Sequence, residues 1–217
     1  MLVSPTKRVF VLLAFVSLLM TGLKLNAFEG VIHFQRYTTY DTSLLKYSIQ
    51  NNKVRINKYD KDGQMIECLL VDVETEKVFA LDPQRQLYRQ LQLDDRERSS
   101  DDDKYKIIQR GNHKKINGVT CYQWRVRDRD SNSEIAYWVT KKNFDFFHKL
   151  IDLLERTNKI YHFFAEIPGN KHMFPLLSVE RTLLRDERQR LAVREITRKQ
   201  MDDNLFTIPE NYRKVSR

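Results

Sequence analysis

Apolar and polar residues alternate along much of this chain. Tyr47 and Ile49 alternate with polar neighbours over residues 46–50, and Val54 and Ile56 do so over 54–58. That period of two marks half-buried strands. The two segments flank Asn51-Asn52, a pair that reaches positive φ at low cost and so predicts a tight hairpin. Further strands are predicted over 31–40, 65–73, 77–81 and 87–91, separated by the turn-forming groups Asp60-Lys61-Asp62-Gly63, Glu74-Thr75-Glu76 and Asp82-Pro83-Gln84-Arg85. Short strands at this spacing form an antiparallel meander.

A charged segment, 94–104, interrupts the pattern as a solvated loop. Strands resume over 105–110 and 120–127, joined through the turn dipeptide Asn117-Gly118. On the second of these, Tyr122, Trp124 and Val126 share a face. A strand over 135–140 follows, with Ala136 and Trp138 on one face. Then the period changes. Phe144, Phe147, Leu150, Ile151 and Leu154 recur at helical spacing, with Asn143 placed to cap the helix and Lys149, Asp152 and Glu155 off the stripe. His148 and Asp152 stand four apart, where a contact is expected. A second helical turn is predicted over 158–164, and a closing hairpin over 175–184 and 191–200. The tail, 206–212, reads as a docking segment. About ten strands with helices inserted late predict a mainly β (α+β) single domain over 28–217. An antiparallel sheet that long must curl, and helices against its concave side would enclose apolar space.

The first residues are set apart. Lys7 and Arg8 precede a twelve-residue apolar run broken only by Ser17, and Leu25-Asn26-Ala27 ends in a small residue. This is the layout of a signal peptide, expected over 1–27. The run is shorter than the roughly 20 residues of a membrane-spanning helix, and none of that length follows. An exported protein, periplasmic or secreted, is therefore expected. With 41% hydrophobic residues the 217-residue chain is globular in composition. Its two cysteines, Cys68 and Cys121, admit either one disulfide, as export would allow, or two buried thiols.

The formal charge is +9, and basic residues crowd 181–199. Acidic residues interleave with them, as on a solvated face of cross-strand pairs. No nucleic-acid-binding motif is present. Asp128-x-Asp130-x-Asn132 begins like a calcium loop, but Ser133 stands at the glycine position and Val139 at the bidentate glutamate position. It is read as a polar turn. The five histidines form no His-Glu-x-x-His motif, and no Gly-x-Ser-x-Gly elbow exists. No metal, cofactor or catalytic residue is expected.

Lys114-Lys115-Ile116-Asn117-Gly118-Val119-Thr120-Cys121-Tyr122-Gln123-Trp124, then Ala136-Tyr137-Trp138-Val139-Thr140, and Phe206-Thr207-Ile208-Pro209-Glu210-Asn211-Tyr212 together resemble a family of exported domains of unknown function. Phe28-Glu29-Gly30 and Lys53-Val54-Arg55-Ile56 also fit, and Val119 departs where the family favours tyrosine. That family comes from Gram-negative, mainly Bacteroidetes-type envelopes and is grouped with the LolA/LolB-like lipoprotein carriers. The resemblance implies a curved antiparallel half-barrel, with helices covering a concave face and an apolar cavity for a lipid or acyl chain. Candidate lining residues are Ile49, Ile56, Tyr122, Trp124 and Trp138 on strands, and Phe147, Leu150 and Leu154 on the helix. The alternative is a filled core in an envelope interaction or sensor module.

Overall fold

The computed structural model describes residues 28–93, 105–142, 144–155, 157 and 159–215. The expected signal peptide, the 94–104 loop and the expected cap Asn143 lie outside the described residues. Among these residues twelve strands form one sheet: β1 (Gly30–Thr38), β2 (Thr42–Gln50), β3 (Lys53–Tyr59), β4 (Met65–Asp72), β5 (Lys77–Asp82), β6 (Leu87–Leu91), β7 (Lys106–Ile116), β8 (Val119–Asp128), β9 (Ser133–Lys141), β10 (Met173–Arg181), β11 (Glu187–Arg198) and β12 (Arg213–Lys214). Among the described residues two α-helices, α1 (Asp145–Leu154) and α2 (Lys159–Ala165), lie between β9 and β10. The strand order is β12-β6-β5-β4-β3-β2-β1-β11-β10-β9-β8-β7. The sheet is open, mainly β and curved as expected, and every pairing is antiparallel except β12 with β6.

Local chemistry explains the hairpins. Asn51 takes φ 52°, and Asn117-Gly118 takes φ 49° and 76°, the successive positive values that a tight two-residue turn demands. Four other turns begin with an aspartate. Asp60, Asp72, Asp82 and Asp128 each accept backbone N–H bonds from residues two to four further on, at 2.9–3.2 Å. These donors hold the Asp72 and Asp128 carboxyls below the usual range, outweighing the upward push of partial burial. The Asp128 carboxylate thus serves its own turn, as the polar-turn reading expects.

Inward-facing residues form one large cluster. It joins Ile32, Phe34, Tyr47, Ile49, Val54 and Ile56 from β1–β3 to Ile135, Tyr137 and Val139 from β9 and to the apolar face of α1 and α2. Phe144, Phe147, Leu150, Ile151 and Leu154 are all buried, as their spacing predicts. Phe147 meets Phe174 edge to face at 4.7 Å, and Tyr137 donates to the Ile160 carbonyl at 2.6 Å. His148 approaches Asp152 at 3.6 Å, the expected i,i+4 contact.

The other face of the sheet carries a smaller cluster, Cys68, Leu70 and Leu81, against which Ile208 and Tyr212 pack. The tail docks as expected, then continues as β12 beside β6. The strand expected over 105–110 runs on to Ile116, with an irregular register around Gly111 and Asn112.

The structure decides one open alternative and corrects one placement. Cys68 and Cys121 are both free, buried thiols. They stand on β4 and β8, seven strands apart in the sheet order, and pack in different clusters. Trp138 does not share a face with Trp124. In the β8–β9 register Trp124 is opposite Tyr137, while Trp138 is opposite Gln123. Because side chains alternate, that single-residue offset moves Trp138 to the other face of the sheet, where Lys114 Nζ lies 4.0 Å over its ring.

Candidate ligand cavity

A row of inward-facing residues crosses five strands. Tyr47, Ile56, Leu69, Ala80 and Arg89 stand directly opposite one another from β2 to β6. A parallel row contains Leu45, Lys58 and Glu67. Ala80 is the smallest member, and space remains above it. Together with Leu91, Arg36 and Leu191 from the sheet and Leu154, Ile160 and Tyr161 from the helical region, these residues line a cavity of about 340 Å³. That volume falls at the lower end of small-molecule sites.

The deep wall is a tyrosine pair. The hydroxyls of Tyr47 and Tyr161 are hydrogen-bonded to each other. Burial raises both phenol pKa values, Tyr47 well above the ordinary value, so both hydroxyls stay neutral at physiological pH. Tyr47, Ile160, Tyr161 and Leu191 also border a second, almost filled space of about 10 Å³, lined further by Phe34, Tyr137 and Phe147. The tyrosine pair therefore separates an open chamber with both apolar and charged walls from a tightly packed one.

Of the expected lining residues, Ile56 and Leu154 border the larger cavity and Phe147 the smaller space. Ile49 and Leu150 are buried in the packed core, bordering neither. Tyr122, opposite Val139 in the register, is 47% exposed, and Trp124 is half-buried against the core edge. Sequence reasoning missed Arg36, Lys58, Leu69, Ala80, Arg89 and Tyr161. A signal was present for some: Arg36 keeps the inward parity of Ile32 and Phe34, and Lys58 that of Val54 and Ile56.

Near the helices, half-buried Glu155, His162 and Glu166 bring possible ligand atoms within 4.8 Å of one another. The Nε2 atom of His162 is engaged with the Tyr105 hydroxyl at 2.9 Å. Elsewhere, ion pairs account for much of the basic 181–199 stretch: Glu187 pairs with Arg181 and Arg190, and Glu180 with Arg188. None of the helices among the described residues is long and apolar enough to cross a membrane.

The chain belongs to the DUF4412 family, a domain of unknown function, which it matches over residues 28–212. No curated protein matches it. Its fold is similar to that of an uncharacterised conserved protein from Thermus thermophilus, at 11% identity and a TM-score of 0.57, covering 94% of this chain and 99% of that one. It is also similar to a chain in the MucA/MucB complex of Pseudomonas aeruginosa, at 11% identity and a TM-score of 0.50, covering 88% of this chain but only 58% of that one. A weaker match, at 9% identity and a TM-score of 0.31, is to a domain described as an outer membrane lipoprotein-sorting protein from Vibrio parahaemolyticus, covering 82% of this chain and 87% of that one.

Proposed function

We propose that this DUF4412 domain is an exported, non-catalytic binding protein of the Gram-negative envelope, a half-barrel that holds a hydrophobic ligand such as a lipid or lipoprotein acyl chain. In this reading α1 and α2 roof the concave side of the sheet, and the N-terminal apolar run directs export. The observation that carries it is the 340 Å³ cavity, walled by Leu45, Ile56, Leu69, Leu91, Leu154 and Ile160. A methylene group is close in size to a water, whose share of the liquid is about 30 Å³, so the space suits on the order of ten carbons. Each methylene transferred from water is favourable by about 0.8 kcal/mol, so about ten of them supply a gain of the same order as the ordering costs of binding.

Filling the cavity tests the reading. Ala80→Trp should abolish binding of a fluorescent fatty-acyl probe while the folded circular-dichroism spectrum persists. Lipid extraction of the envelope-purified protein, followed by mass spectrometry, should find an enriched acyl species. Absence of both probe binding and enriched lipid defeats the proposal.

A second reading, an interaction or sensor module, draws on the open sheet edge. Strand β7 is the last in the order, is mostly exposed, and has one side unpaired among the described residues, a template for a partner strand. Tyr40 and Leu184, 97% and 84% exposed, add apolar surface at loop tips. Pull-down from envelope extracts that depends on β7 and not on Ala80 would favour it.

A further inference from the structure

The inward stripes of β1, β3 and β6 do not stay apolar. Following Ile32 and Phe34, the next inward position on β1 is Arg36; following Val54 and Ile56, the next on β3 is Lys58. On β6, Arg89 lies between Leu87 and Leu91. All three line the same cavity, with Glu67 its one acidic residue among the described residues. No ion pair within 4.0 Å joins any of these four to a described residue, whereas Glu180 and Glu187, elsewhere in the sheet, gather basic partners closely. The Arg36 Nε is buried without an acceptor. A guanidinium N–H removed from water without a partner is costly; Arg36 and Lys58 as a whole are half-buried, and Arg89 is exposed.

We propose that the ligand of this cavity is an anionic amphiphile, its carboxylate or phosphate held by Arg36, Lys58 and Arg89 and its chain laid along the Leu45, Ile56 and Leu69 wall toward the Tyr47–Tyr161 pair. This rests on the hydrophobic-ligand reading above and specifies its polar end. Guanidinium groups suit such anions because their N–H groups can bind two oxygens at once. Glu67 opposes the anion.

The test compares four amphiphiles of equal chain length by isothermal titration at low salt: laurate, dodecyl phosphate, dodecanol and dodecyltrimethylammonium. Laurate or dodecyl phosphate should bind at least about tenfold more tightly than dodecanol, and the cationic amphiphile most weakly. A carboxylate preference indicates a free fatty acid, and a phosphate preference a lipid headgroup; lysophosphatidylglycerol against laurate separates the two directly. Arg89→Met, at an exposed position that should leave folding intact, and Arg36→Met should bring laurate down toward dodecanol without weakening dodecanol. Glu67→Gln should act oppositely and tighten laurate. Equal binding of laurate and dodecanol overturns the anionic inference and leaves the hydrophobic-ligand reading standing. Preferential binding of the cationic amphiphile overturns it likewise. Failure of all four to bind overturns both.

Discussion

The Tyr47 hydroxyl on β2 is hydrogen-bonded to the Tyr161 hydroxyl on α2, tying the centre of the sheet to the helical segment through two residues 114 positions apart. Tyr47 is buried and Tyr161 half-buried, and the pair forms the wall between the cavity and the packed chamber behind it. Removing one hydroxyl strands the other without its partner. Tyr47→Phe and Tyr161→Phe should each destabilise the fold by about 1–3 kcal/mol. The double variant should cost clearly less than the sum, because it removes both polar groups. Urea midpoints for the four proteins give this coupling; simple additivity would mean that the hydroxyls act independently.

Alkaline pH should unfold the protein. Burial raises the phenol pKa values of Tyr47, Tyr137 and Tyr161 and the Cys68 thiol to about 11. Each group keeps its proton in the folded state to a higher pH than in the unfolded chain, where a thiol ionises near about 8.5 and a phenol near about 10. Stability from these groups is therefore complete below about pH 8.5. It falls as the unfolded state releases protons first, beginning with Cys68 and steepening above about pH 10. Denaturation midpoints measured from pH 7 to 11 should decline in that order, and a flat profile would contradict the burial of these groups.

Cys68 and Cys121 should remain thiols even after exposure to an oxidising compartment. Mass spectrometry of protein purified without reductant should show both sulfurs free. A thiol reagent should label them slowly in the native protein and rapidly in denaturant, because neither is accessible and burial raises both pKa values. A bridged species would require β4 and β8 to approach in a way this sheet order does not allow.

Gly30 should tolerate no side chain. Its φ is 148°, and a Cβ there would stand 2.1 Å from the Thr197 carbonyl oxygen and 3.0 Å from the Arg198 Cα. Both atoms are backbone in the paired strand β11, so they cannot swing aside. Gly30→Ala should lose more than about 1 kcal/mol and weaken protection of the β1–β11 amides in hydrogen exchange. Gly118→Ala has open space around the new methyl group and should strain only its own turn.

Much of the secondary structure was legible because its causes are local. Alternation around Tyr47 and Val54, the Asn51-Asn52 and Asn117-Gly118 turns, and the stripe from Phe144 to Leu154 each need only their own neighbours. The site was legible in part: Ile56, Leu154 and Phe147 could be placed on inward stripes from spacing alone. What the sequence could not decide was register. Tyr137 and Trp138 are adjacent, aromatic and equally plausible as interior residues, and only the pairing of Trp124 with Tyr137 sends one inward and the other out. Register also decides the cavity. Arg36, Lys58, Ala80 and Arg89 come from four separated segments, and nothing local marks them as neighbours. They converge because hydrogen bonding stacks strands β1 to β6 side by side, a long-range arrangement in which every side chain's address depends on its partners as much as on itself.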